Sequence, residues 1–301
     1  MISRMRHLLP RKCLKKIYKS LVRSKLDYAD VIYDNCSIQD SNTLEKVQRR
    51  AALLLTGAIR LTKHNILLKE LGLETLKTRR RSHRLIYLYK IKNKLTPEYL
   101  YETCPIVNHN DNVHNLRRNN QLLQLQTRTT AYFNSFFPTT IRDWNSLPGE
   151  LLTASSISIF KKLLKENVGN VTSKLFSLGH GLGKVNHTRI RLGLSGLNDH
   201  LFKYNLSATK ICSQCQSRAI ENSVHYFTSC DRYSAIRSDL LTSLRDILCP
   251  NVSINLLLQL CPTYLTEIIL EGSTDLTTNE NFEIFKATFT FIENSNRFSN
   301  N

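Results

Sequence analysis

Apolar residues near the start of the chain recur at intervals of three and four. Between Lys12 and Ala58 there is no proline, and the only glycine is Gly57. The first apolar set comprises Leu14, Ile17, Tyr18, Leu21, Val22, Leu26, Ala29 and Tyr33. Because an α-helix turns every 3.6 residues, this spacing predicts helix over the segment.

A second helix is predicted for the stretch NTLEKVQRRAALLLTGA, which begins at Asn42 and stops at Gly57. Asn42 and Glu45 have the spacing of a capping box, although Asn is not its usual first residue. One face is apolar and consists of Leu44, Val47, Ala51, Leu54 and Leu55. The opposite face is basic and consists of Lys46, Arg49 and Arg50. The first face suits a core, and the second suits phosphates or water.

Three later segments have less regular patterns. Residues 75–94 concentrate Arg79, Arg80, Arg81 and Arg84, but their apolar positions leave helix and strand both open. FFPTTIRDWNSLP contains the only tryptophan, Trp144, and is interpreted as an aromatic core at a domain junction, with a base-stacking platform as the alternative. GHGLGKVN, residues 179–186, lacks the Gly-Lys-Ser/Thr ending of a phosphate loop, so it predicts a flexible hinge.

The expected fold is mainly α with little β, in several parts. The predicted divisions are a basic helical domain over 1–104, a linker with the aromatic region over 105–180, a cysteine-containing region over 181–250, and a helical tail over 251–301. No signal peptide and no apolar run long enough for a bilayer are evident, so we expect an intracellular chain that is neither secreted nor membrane-bound.

The charge is strongly basic and unevenly distributed. The chain has a net charge of +18, and residues 1–100 hold 23 Lys/Arg against 8 Asp/Glu. Residues 231–301 hold 5 Lys/Arg against 9 Asp/Glu. A basic front and a mildly acidic end are typical of a protein in which one region contacts a polyanion. The alternative is a lysine-rich surface that only faces water.

The strongest local motif is CSQCQSRAIENSVHYFTSC. Cys212, Cys215, His225 and Cys230 form a C-x2-C-x9-H-x4-C pattern. This spacing can close a tetrahedral Cys₃His shell, and four protein ligands predict a structural zinc ion that does not activate water. The alternative is a set of free thiols. The other cysteines lack comparable neighbours and are expected to be buried thiols; they are Cys13, Cys36, Cys104, Cys249 and Cys261.

The stretch SKLDYADVIYDN resembles the Tyr-x-Asp-Asp box of reverse transcriptases at Tyr28, Ala29 and Asp30. Two-metal catalysis needs carboxylates that converge on ions about 3.5–4 Å apart. Here Val31 follows Asp30 in place of a second aspartate, and the surrounding pattern is helical. The segment therefore predicts no catalytic site. Asp27, Asp30 and Asp34 are interpreted as a solvated patch.

Several motifs occur in an order that resembles one family. IYKSLVRSKLDYADVIYDN with LEKVQRRAALLLTG resembles the helical thumb that follows the palm in reverse transcriptases of non-LTR (LINE-type) retrotransposons. WNSLP followed by FKKLL is similar to a later stretch of those polyproteins. HTRIRLGLSGLNDHLFKYNL, leading into CSQC, ENSVH and SCDRYSAIR, resembles their C-terminal zinc-knuckle region. The similarity runs from about Met1 to Leu241.

The resemblance implies a non-catalytic, nucleic-acid-binding fragment with a thumb-like bundle, a zinc knuckle and a nuclear location. Lys46, Arg49, Arg50, Arg79, Arg80, Arg81, Arg84, Arg189 and Arg191 are the candidate phosphate contacts. No small-molecule substrate is expected, and an exposed thumb face would favour oligomers. Two alternatives are a truncated form of an active RNA-directed DNA polymerase whose palm lies upstream, and a domesticated helical protein-interaction module.

Overall fold

A computed structural model describes residues 2–5, 8–102, 104, 122–167, 181–248, 262–273 and 275–299. The described chain is mainly helical, as predicted, and its extended pairing amounts to an isolated antiparallel bridge between Ile211 and Ile220. The helices are α1 (Ile2–Met5), α2 (Arg11–Ile17), α3 (Ser24–Asp27), α4 (Asp30–Tyr33), α5 (Ile38–Thr56), α6 (His64–Leu71), α7 (Leu76–Lys92), α8 (Glu98–Glu102), α9 (Thr130–Phe133), α10 (Phe136–Asn145), α11 (Gly149–Leu152), α12 (Ile157–Asn167), α13 (Leu182–Arg191), α14 (Asn198–Phe202), α15 (Ser234–Leu248), α16 (Pro262–Glu271) and α17 (Thr278–Asn294). Tyr18–Arg23 and His225–Ser229 are π-helical, and Asp231–Tyr233 is a 3₁₀ turn.

The chain forms two compact units, each assembled from separated segments. The terminal unit contains Met1–Tyr18, Arg49–Leu71 and Ser173–Asn301, and the central unit contains Lys19–Gln48 and Gly72–Thr172. The four predicted divisions are contiguous and stay predictions. Within the predicted linker and aromatic region over 105–180, residues 105–121 and 168–180 lie outside the described residues, as do Cys249 and Cys261. Among the helices that are described, none has both the length and the hydropathy to cross a membrane.

The central unit is built around α7, for which the sequence left helix and strand open. Thr75 accepts the Thr78 backbone N–H at the N-terminus of α7, and the helix continues to Lys92. Trp144, from α10, is 1% exposed and stacks on Phe160 with ring centroids 5.7 Å apart. The aromatic-core interpretation of the Trp144 stretch is thus confirmed.

The aspartates near the start of the central unit are paired with basic side chains of α7. Asp30 is only 3% exposed, and its carboxylate lies 2.5 Å from Nδ1 of His83. Asp27 accepts from Nε of Arg79 at 2.8 Å. The predicted solvated patch is therefore wrong at Asp30. The sequence could not show that α7 places a basic side chain opposite each carboxylate.

Helix α5 begins four residues before the predicted start at Asn42. Ser37 provides the reason, because its hydroxyl accepts the Asp40 backbone N–H at 3.1 Å and donates to the Asp40 carboxylate at 2.8 Å. The Ser37 hydroxyl thereby satisfies one of the amide groups that the first turn leaves unpaired. The predicted stop is confirmed, since Gly57 has a φ of +69° and follows the last helical residue.

Helices α13, α15 and α17 form the core of the terminal unit. The predicted hinge at residues 179–186 is wrong in its described part, because residues 182–186 belong to α13. Gly183 is buried, and a Cβ atom added there would lie 2.7 Å from the backbone oxygen of Phe289. The backbone N–H of Gly183 donates to the carboxylate of Glu293. The glycine permits close packing of α13 on α17, which local sequence cannot distinguish from flexibility.

A buried charge network joins three segments of the terminal unit. Glu70 of α6 accepts from Arg11 of α2 at 2.7 Å and pairs with Arg191 of α13 at 2.6 Å. Arg11 also donates to the Thr56 carbonyl and to the hydroxyl of Thr188. Burial pushes the pKa of the neighbouring Lys184 down to about 7, and Arg11 adds to that effect.

Candidate metal centre

The four predicted metal ligands converge in the terminal unit. One ligand atom from each of Cys212, Cys215, His225 and Cys230 lies within 4.8 Å of the others. The sulfurs of Cys212 and Cys230 are 3.9 Å apart, and the Cys215 sulfur is 3.3 Å from Nε2 of His225. These side chains can hold a metal ion.

A short hairpin-like loop positions the first two cysteines. The Cys212 backbone N–H donates to the backbone carbonyl of Ala219 at 2.8 Å, and the Glu221 backbone N–H donates to the backbone carbonyl of Lys210 at 2.8 Å. The Gln214 N–H points at the Cys212 sulfur at 3.4 Å. These bonds bend the chain so that Cys212 and Cys215 face the same interior point.

The other two ligands come from the following π-helical turn. Asn222 accepts the backbone N–H of His225 at 2.8 Å, which fixes the start of the turn. The Cys230 N–H donates to the His225 carbonyl at 2.8 Å, and Arg237 donates to the carbonyl of Cys230. A π-turn is wider than an α-turn and often occurs at functional sites. Here it brings residues five apart toward the same ion position.

The protonation properties of the ligands follow from their surroundings. Burial raises the pKa of the Cys230 thiol to about 12 and also raises that of Cys212. The Ser217 hydroxyl lowers the pKa of Cys215, and burial lowers that of His225. A neutral imidazole is a ligand, whereas buried thiolates require a nearby cation. The site therefore favours a cation with affinity for sulfur.

The ligand cluster is packed against the aromatic core of the terminal unit. Cys212 and Cys230 belong to the same buried cluster as Tyr226, which is fully buried. Glu221 is 1% exposed, and Arg297 donates to both of its oxygens at 2.7 and 2.9 Å. Because the loop is fixed to this core, loss of the ligand cluster would disturb the packing beneath it.

The outer side of the loop combines basic and apolar groups. We define the loop surface as the exposed residues Phe202, Lys210, Ile211, Arg218 and Ile220. Ile211 and Ile220 face each other across the antiparallel bridge and are 44% and 50% exposed. Nζ of Lys210 lies 4.9 Å from the Phe202 ring centroid. The sequence motif located the ligands but not this surface, whose only signal was a pair of cations in the loop.

The predicted phosphate contacts of α7 are engaged within the central unit. Arg80 and Arg84 each pair through Nε with Asp34 at 2.6 Å, and both are buried. Arg79 is held by Asp27, and Arg81 pairs with Asp143 at 3.0 Å. All four arginines of this helix are thus paired with carboxylates of the chain itself.

The remaining candidates divide into engaged and exposed residues. Arg49 donates to the carbonyls of two loop residues, and Arg189 donates to that of Gly57 at 2.9 Å. Arg191 is buried against Glu70. Lys46 and Arg50 lie on the surface of α5. A nucleic-acid role for all nine stays a prediction, and these two have the exposure that such a role needs.

The other described cysteines lie outside the ligand cluster. Cys104 is buried as expected, but Cys13 is exposed and Cys36 is half-buried, so the expectation of buried thiols is wrong at Cys13. Cys13 is on the outer side of α2, whose buried positions are Arg11 and Leu14.

Searches against family models, curated proteins and solved structures find no match to this chain.

Proposed function

We propose that the metal is zinc and that its role is structural. For Zn–S bonds of about 2.3 Å in a tetrahedral shell, two sulfurs should lie about 3.8 Å apart. The Cys212–Cys230 separation of 3.9 Å supports this geometry. With four protein ligands, no coordination position remains for a reacting water, so the ion stabilises the fold.

The test is the metal content of the purified chain, measured by inductively coupled plasma mass spectrometry. We expect one zinc per chain, and we expect Cys230→Ser to lose the metal and the cooperative unfolding of the loop region. Cys13→Ser is the matched control, because that thiol is exposed and lies outside the cluster. A metal-free chain that unfolds as cooperatively as the loaded one would contradict the assignment.

We propose that the chain binds nucleic acid without catalysing a reaction on it. The observation that carries this proposal is the loop surface, where Lys210 lies beside the Phe202 ring and Arg218 is exposed in the same loop as Ile211 and Ile220. Cations contact phosphates, and exposed rings offer stacking surfaces for unpaired bases. The net charge of +18 supports the same function.

Contacts outside the loop surface are expected from exposed cations rather than from the paired arginines. Lys46 and Arg50 are the candidates on α5. An arginine in a buried ion pair would have to leave its carboxylate before it could bind a phosphate, and breaking such a pair costs several kcal/mol. An exposed lysine has no such cost.

The binding test is fluorescence anisotropy of a labelled single-stranded oligonucleotide at several salt concentrations. Each phosphate contact contributes about 0.7 to the slope of log affinity against log salt for single strands. We expect Lys210→Ala/Arg218→Ala to reduce the slope by more than one. The control is Lys63→Ala/Lys286→Ala, which removes two exposed lysines of the same unit. Salt-independent binding, or equal slopes for both double variants, would contradict the proposal.

The order of the motifs supports a wider proposal, that the chain is a C-terminal thumb and knuckle part of a LINE-type reverse transcriptase that acts in the nucleus. Asp30 is followed by Val31 and is paired with His83, which supports a non-catalytic role for this part. A primer-extension assay with the purified chain tests it. Template-directed extension that disappears on Asp30→Asn would reverse this assignment.

A further inference from the structure

The central unit contains a cavity of about 270 Å³ between α4, α7, α8 and the α9–α10 turn. Tyr87, Phe136 and Phe137 contribute aromatic rings to its wall. Tyr87 and Phe136 meet edge to face with centroids 6.5 Å apart, and Phe136 and Phe137 do so at 5.0 Å. Edge-to-face pairs hold rings at fixed angles, so the wall has a defined shape.

The polar lining of the cavity is sparse and comes from different segments. Asn35 and Asn134 contribute amides, and the Arg84–Asp34 ion pair contributes a charged group whose charge is internally balanced. A mostly apolar cavity with a few convergent polar groups is the usual form of a binding site for a small organic ligand. The motifs of the sequence gave no indication of this site.

The size and chemistry favour a planar ligand of one or two rings. Drug-sized ligands occupy pockets of about 300–1,000 Å³, so this cavity suits a smaller molecule. Aromatic walls stack on a flat ring, and amides can pair with the donor and acceptor edge of a heterocycle. Nζ of Lys90 lies 5.9 Å from the centroid of Tyr87, which places a cation beside the wall.

We propose that this cavity binds an unstacked nucleobase, with the attached phosphate directed toward Lys90. The site belongs to the central unit, whereas the metal and the loop surface belong to the terminal unit. If the cavity does not bind a nucleobase, salt-dependent binding by the loop surface is therefore unaffected. If the cavity does bind one, base contacts are added to the contacts made with phosphates.

The test is isothermal titration calorimetry of the full-length chain with AMP, CMP, adenosine and indole. AMP and CMP should bind, and Tyr87→Ala should weaken both about tenfold, as expected from the loss of one stacking ring. Tyr87→Phe should retain binding. Lys90→Ala should weaken AMP but leave adenosine unchanged, since only AMP has a phosphate.

Tyr132→Ala is the matched control, because Tyr132 is 45% exposed against 41% for Tyr87 and does not line the cavity. It should bind AMP as the unmodified chain does. Three results would overturn the inference. They are no AMP binding by the unmodified chain, unchanged binding by Tyr87→Ala with circular dichroism showing a folded protein, and indole binding as tight as that of adenosine.

Discussion

Replacing Glu70 by glutamine tests how much the buried charge network contributes to stability. The substitution keeps the side-chain volume and removes the negative charge that Arg11 and Arg191 share. Glu70 is 2% exposed, and the two arginines are 7% and 6% exposed, so water cannot replace the lost partner. The next carboxylate, on Glu271, is 3.8 Å from Arg191 but 57% exposed. Two buried cations are therefore left undercompensated.

The magnitude follows from two independent arguments. The charge-assisted hydrogen bond from Arg11 to Glu70 contributes about 1.5–3 kcal/mol, and the buried ion pair between Glu70 and Arg191 adds to it. Breaking a buried ion pair by removing one partner costs about 3–5 kcal/mol. We expect a loss of about 4 kcal/mol, which is a large part of the roughly 5–15 kcal/mol that stabilises a folded protein.

The assay is urea unfolding at pH 7, followed by far-ultraviolet circular dichroism. With a denaturant slope of about 2 kcal/mol/M, the midpoint should fall by about 2 M. Glu283→Gln is the control, since its pair with Lys286 is exposed at 3.5 Å and should contribute under about 1 kcal/mol. Equal midpoints for the two variants would refute the reasoning.

Three further substitutions test other parts of the structure. Because burial holds the pKa of Lys184 at about 7 against its usual 10.5, the unfolded chain binds more protons between these values. The free energy of unfolding should therefore rise from pH 7 to pH 10. In the Lys184→Met variant this rise should be absent, which thermal melting at the two pH values measures. Arg80→Ala should destabilise the chain by about 3 kcal/mol in urea, whereas exposed Lys77→Ala on the same helix should be neutral. Gly183→Ala should lower the melting temperature through a clash worth about 1–3 kcal/mol, whereas Gly149→Ala, whose Cβ would meet nothing within 4 Å, should not.

The features that could be predicted from the sequence are those encoded over short distances. Helix α5, the aromatic core around Trp144 and the Cys/His cluster each follow from the spacing of residues within one segment. In a cluster such as Cys212 to Cys230, the chain between the ligands is short enough to restrict where they lie. The mainly α fold follows from the same local periodicity.

The features that could not be predicted depend on pairings between distant segments. Arg80 and Asp34 are 46 positions apart, and Arg11 and Thr188 are 177 apart. A run of arginines has the same local pattern whether it faces water, phosphate or the chain's own carboxylates. Gly183 is similarly ambiguous, since a glycine is needed both where a chain bends freely and where two helices pack closely.

The division of the terminal unit among both ends of the chain affects how the protein emerges from the ribosome. Residues 19–48 and 72–172 are all synthesised before α13 exists, so the central unit can fold while translation continues. Arg11 and Glu70 must then wait for Arg191 before their network is complete. In a nascent chain stalled before residue 181, Arg11 and Glu70 should stay accessible to chaperones and proteases. They should become buried once α13 has been translated and packs against them.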